Sequence, residues 1–154
     1  MNTRNLSIAA IVLWLITLAI FATFFIRGNT TTGSDNRTAI VLKAGELELV
    51  LSEMRGLLST VYGVMEGLNK GDMEQVAKAA TQSGMAAAAD VNPALMAKLP
   101  LAFKSLGMSV HQDMDDLAKA AKEGKSAAEL QNRLTASLAK CIACHSAWQL
   151  KAAD

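Results

Sequence analysis

The sequence predicts an all-α protein, an antiparallel up-down-up-down four-helix bundle with an N-terminal transmembrane helix. Three observations lead there. An uncharged apolar run covers Leu6 to Ile26. Four later stretches repeat apolar residues at spacings of three and four, the signature of one buried helix face. The connections between them are short and carry no strand signal, and loops of about two to eight residues favour antiparallel neighbours.

The apolar run holds 21 residues. At about 1.5 Å per residue it is roughly 31 Å long, the thickness of a bilayer core. A cleaved secretory signal has a shorter apolar core and a small-x-small cleavage site. Here Phe21, Phe24, Phe25 and Ile26 fill that place. The reading is therefore an uncleaved signal anchor over residues 1–26. Residues 27–38, RGNTTTGSDNRT, are polar and without period. They read as a flexible linker, followed by a helical domain over 39–154.

The first helix of that domain is expected from about 39 to 69, with Leu47, Val50, Met54, Leu57, Val61, Val64 and Leu68 on one stripe. Lys70-Gly71 ends it. Asp72, with Gln75 three residues on, caps a second helix expected from about 73 to 91. Its stripe of Val76, Ala80, Ala87 and Val91 is small enough for close approach. Asn92-Pro93 and Pro100 are start signals. They predict a short turn at 93–98 and a third helix at about 100–123, with Phe103, Leu106, Val110, Met114, Leu117 and Ala121 facing inward. Gly124 stops it. Ser126 and Glu129 form a capping pair for the fourth helix, whose stripe is Leu130, Leu134, Leu138, Cys141, His145 and Trp148.

Composition narrows the function. The net charge is +1, and from Arg37 onward 13 basic residues face 13 acidic ones. That balance lacks the basic footprint of a nucleic-acid binder. Two cysteines are too few for a disulfide scaffold or a four-thiolate zinc site. No glycine-rich phosphate loop and no Ser-His-Asp set is present, so a non-enzymatic role is expected. Asp113, Asp115 and Asp116 read as a solvated helix face, and His111, beside Gln112 and Asp113, as a surface histidine.

Both cysteines and one of the two histidines fall in Cys141-Ile142-Ala143-Cys144-His145. Residues i, i+3 and i+4 share one helix face. Two thiols at that spacing can add to the two vinyl groups of a haem, and the next histidine reaches the iron. CxxCH reads as c-type haem attachment. A thioredoxin-like pair would need a βαβ context, and a zinc site would need two further ligands. The cofactor expected is one covalently attached haem c. Its maturation outside the inner membrane puts the domain in the periplasm of a bacterium, with the amino terminus in the cytoplasm.

A CxxCH on the last helix of a four-helix bundle resembles the class II cytochromes c, the cytochrome c-prime and cytochrome c-556 group. The likeness covers roughly residues 40 to 150. The CIACHSAW segment is similar to the family motif, with Trp148 as the aromatic three residues after the histidine. Gln149 stands where members often carry a basic residue. The Lys70-Gly71 break also resembles the family, whereas the membrane anchor departs from its usual soluble members. The resemblance implies single-electron transfer, and a homodimer through the first helices.

His145 is the expected proximal ligand. Across the iron, Met54 is the leading candidate. It lies 17 residues before Gly71, and His145 lies 19 after Ser126. On antiparallel helices the two stand within about 3–6 Å in height. The c-556 branch uses a first-helix methionine, whereas c-prime members leave the site five-coordinate. Aligning Gly63-x-Met65 with the family instead puts Arg55 at that place. His111, Met108 and Met85 are reserves. Gly56, Gly63 and Gly67 read equally as close approach of haem or the fourth helix, or as a small-residue packing face. Tyr62, Phe103 and Trp148, the aromatics outside the anchor, are expected at the haem or core.

Three functions remain open: a membrane-tethered electron carrier with membrane or periplasmic redox partners, a five-coordinate NO or CO binder, and an accessory haem subunit of a respiratory complex. The sulfur of Met54 raises a haem potential if it ligates.

Overall fold

The computed structural model describes residues 3–89 and 91–153. The protein is mostly helical. It opens on an apolar helix, α1 (Thr3–Arg27), long and apolar enough to cross a membrane and with no residue buried. Its polar hydroxyls turn inward: Thr17 and Thr23 donate to the carbonyls of Leu13 and Ala19 at 2.9 and 2.7 Å. In lipid, such back-bonding removes an otherwise unpaired donor.

After α1 come β1 (Thr30–Thr32) and β2 (Thr38–Leu42), then α2 (Ala44–Lys70) and α3 (Met73–Thr81). A 3₁₀ turn at Met85–Ala88 leads to the short α4 (Pro93–Lys98), followed by α5 (Leu101–Lys122), α6 (Ala127–Ala147) and β3 (Trp148–Ala152). The expectation of no strands is corrected. β2 pairs antiparallel with β1 and parallel with β3, in the order β1-β2-β3. Thr38-Ala-Ile-Val-Leu42 is a β-branched apolar run, and Ala39, Ile40 and Leu42 are buried. Five residues are too few to show a period against a following helical stripe. Consequently α2 begins at Ala44, not near 39, and the stretch 27–38 holds a paired strand where a flexible linker was expected.

The caps follow the sequence. Asp72 accepts from the Gln75 amide at 2.8 Å, Ser126 from Glu129 at 3.2 Å and Asn92 from Ala94 at 2.8 Å. Gly71, at φ 68°, closes α2 in the left-handed conformation that glycine adopts without penalty.

The expected second helix is shorter than its pattern. It stops at Thr81, because the chain turns at Ser83-Gly84 against α5. Asp115 accepts the Met85 amide at 2.9 Å, and a Cβ on Gly84 would overlap the Asp115 carboxylate. Ser83 and Thr60 bond at 2.7 Å in the interior. The expected turn at 93–98 is helical.

Two apolar clusters result. The larger joins Val64 of α2, Val76 and Ala80 of α3, Met114 and Leu117 of α5, and Leu130 and Leu134 of α6. The smaller joins Ile40 and Leu42 of β2, Val50 of α2, Leu95 of α4 and Leu99, with Phe103, Trp148 and Leu150 packed on it. Gly63 and Gly67 serve α3, since a Cβ there would strike Ala79 or Val76; Gly56 has nothing within 4 Å. Gly63 and Gly67 thus form the small-residue packing face against α3.

Candidate functional site

Between the two clusters α2, α5 and α6 part. The apolar stripes of all three continue past the core into a narrow cleft of about 100 Å³. Met54 and Leu57 line it from α2, Phe103, Leu106 and Val110 from α5, and Cys141, Cys144 and His145 from α6. The cleft exists because α3 is only nine residues long. It covers the upper half of α2 and α5, and below it only the 3₁₀ turn and α4 close the far side.

The CxxCH segment is helical throughout, so its three functional side chains fall on one face. Cys141 and Cys144 are half-buried free thiols, and His145 is exposed at the cleft edge. Burial pushes both thiols above their ordinary pKa. A thiol–disulfide catalyst needs the opposite shift. Among the described residues, no three His, Cys, Asp or Glu side chains are grouped to hold a bare metal ion. The donor set suits an apolar, flat group anchored through sulfur better than zinc.

A second cavity of about 270 Å³ adjoins the first. Both are bordered by Val50, Met54, Phe103, Cys144 and His145. Three methionines line the cleft: Met54, Met96 and Met108. Of these, Met54 alone also borders the second cavity with His145. Arg55 is exposed and pairs with Glu48 at 2.6 Å, outside both cavities. Met85 borders neither.

His111 is corrected from a surface residue to a buried one, 4% exposed. Its Nδ1 lies 2.8 Å from the Ser83 carbonyl and its Nε2 2.8 Å from a Glu53 carboxylate oxygen. Both ring nitrogens are therefore engaged, which removes it as a ready iron ligand. The Glu53 hydrogen bond raises its pKa against the opposing effect of burial. The acidic group is likewise not a uniformly solvated face. Asp113 pairs with Lys140 at 2.6 Å and Asp115 holds Met85; Asp116 alone is exposed, taking a hydrogen bond from Gln112.

The sheet supplies what local sequence did not show. Trp148 ends α6 in extended backbone and packs edge-on against Phe103, ring centroids 5.8 Å apart. Arg37 donates to the carbonyls of His145 and Trp148 at 3.1 and 3.4 Å. A cation at a helix C-terminus satisfies its last carbonyls and its dipole. Asp35 holds Arg37 at 2.6 Å and accepts from Gln149 at 3.0 Å. Arg37 thus reaches the end of α6 from 108 positions before His145. No local motif could reveal it. Tyr62, by contrast, is exposed and joins neither core nor cleft.

No family model, curated protein or solved structure matches the chain.

Proposed function

We propose that the protein is a membrane-anchored c-type cytochrome of the four-helix-bundle class that passes single electrons in the periplasm. The observation that carries this reading is convergence: Cys141, Cys144, His145 and Met54, chosen from sequence, all border one apolar cleft. Haem c, when bound, supplies an iron that cycles between ferric and ferrous. The residues of the chain do the rest. Cys141 and Cys144 would hold the group as thioethers. His145, in a last helical turn that Arg37 secures, would ligate the iron, and Met54 would supply the second ligand. Leu57, Leu106 and Val110 keep water from the group, which favours electron transfer with little reorganisation. The anchor α1 keeps the domain beside membrane partners.

The homodimer belongs to the same proposal. Leu51, Leu58, Tyr62 and Met65 stand exposed at spacings of seven, four and three along α2, one apolar stripe on the solvent side.

The test is the absorption spectrum of the reduced protein with and without CO. An unchanged spectrum supports a six-coordinate carrier. A rapid, complete shift contradicts it and leaves the five-coordinate gas binder. Met54→Ala should convert the first behaviour into the second, and no change in the variant would remove Met54 as a ligand. Copurification with a membrane complex in mild detergent would favour the accessory subunit.

A further inference from the structure

The segment that joins the membrane helix to the domain is fastened to the α4–α5 connection, whose neighbours build one wall of the cleft. Gly28, at φ 64°, ends α1, its amide donating to the Phe24 carbonyl at 2.8 Å. A Cβ at Gly28 would overlap the Lys98 carbonyl and lie 2.6 Å from the Pro100 nitrogen. The chain therefore passes directly against the backbone between α4 and α5. Asn29 then bonds in two directions. Its amide donates to the Lys98 carbonyl at 2.7 Å. Its side chain donates to the Val41 carbonyl at 2.8 Å, and its own carbonyl accepts from the Val41 amide at 2.9 Å. Thr30 follows at once into β1. Finally, Lys104 Nζ sits 4.2 Å from the centroid of the Phe25 ring and donates to the Met96 carbonyl at 3.1 Å.

Nothing in this joint is a random coil. A linker of about 12 residues would let the domain range over roughly 20 Å; here the first residues after α1 are hydrogen-bonded to α4 and β2. Moreover, Met96, Leu99, Phe103 and Lys104, from the segment that grips α1, line the cleft. The depth follows from Phe25, which lies in the last turn of the apolar run. Lys104 fastens that turn to α5, its ammonium held between the Phe25 ring face and the Met96 carbonyl. Leu101, in the same turn of α5, is exposed.

We propose that α1 and the cleft form one rigid body, so that the cleft is presented at the membrane surface to an integral membrane redox protein rather than to a freely diffusing one. This rests on the electron-transfer reading above. In each encounter one electron leaves the reduced centre of the partner and reduces the ferric iron; no atom is transferred.

The test uses the full chain in lipid nanodiscs. Spin labels are placed at T17C in the membrane helix and K125C at the far end of the domain. Pulsed dipolar spectroscopy should give one narrow distance distribution. A second variant with six Gly/Ser residues inserted between Gly28 and Asn29 should broaden it. A broad distribution in the uninserted chain would overturn the rigid joint. In native membrane vesicles fed with reductant, haem reduction should slow at least tenfold in the inserted variant, while dithionite reduces both alike. Equal rates would overturn the membrane-seated partner. Thiol counting separates this from the haem reading: two reactive thiols per labelled chain report attached haem, and four report none. In the latter case the distance is measured on a Cys141→Ser, Cys144→Ser background, where only the two introduced thiols are labelled, and it still decides the joint.

Discussion

The two ends of the helical domain are built from the same three helices and the same apolar stripes, yet one end is closed and the other open. At the closed end Val64, Met114, Leu117, Leu130 and Leu134 are buried against the alanines of α3. At the open end Met54, Leu57, Phe103, Leu106 and Cys141 are only half-buried around a cleft. The difference is the fourth wall. Ala77, Ala79 and Ala80 let α3 approach closely, and α3 stops before it reaches the lower half. Continuing an apolar stripe beyond its protein partner leaves surface that only an apolar occupant can cover. The two thiols and the histidine stand along that uncovered stripe.

The largest way to break the comparison is to remove the anchors of the open end. Cys141→Ala with Cys144→Ala should abolish covalent haem retention on a denaturing gel stained for haem, while far-UV circular dichroism stays helical. Next, the ends should differ in stability. Leu134→Ala opens a cavity in the closed end and should cost about 2–5 kcal/mol. Leu57→Ala in the haem-free chain should cost under about 1 kcal/mol, because it enlarges a space already open. Equal losses in denaturant titrations would erase the distinction.

A smaller effect lies at the border. The folded-state pKa of His111 is raised by Glu53. Its contribution to stability is therefore complete below the unfolded value of about 6.5 and is lost as pH rises through the higher folded value. Melting temperature should fall across that window, and Glu53→Gln should flatten the fall. The smallest effect is Ser126→Ala at the start of α6, about 1 kcal/mol from the lost cap, felt equally at both ends.

What could be read from sequence was what repeats or stands together locally. The stripes of α2, α5 and α6, the caps at Asp72 and Ser126, and CxxCH all lie within a few residues of themselves. The membrane-length helix was legible for the same reason. What escaped depends on distant partners. β2 is five residues long and is a strand only because β1 and β3 lie beside it. His111 looks polar and exposed among its neighbours, and is buried because Glu53 and Ser83 reach it from other elements. Arg37 beside His145 and Gly28 against Lys98 are likewise invisible to any pattern of spacing. Sequence periodicity also runs α3 on to residue 91, since alanine carries no penalty that would mark the break; Asp115 makes it.

The central claim is that the open end is completed by a haem joined to Cys141 and Cys144. The most direct measurement is the intact mass of the denatured chain, produced with c-type maturation machinery and carried through acid–organic extraction. The expected result is the mass of the polypeptide plus one haem. The mass of the bare polypeptide, with any haem released into the organic phase, would contradict it.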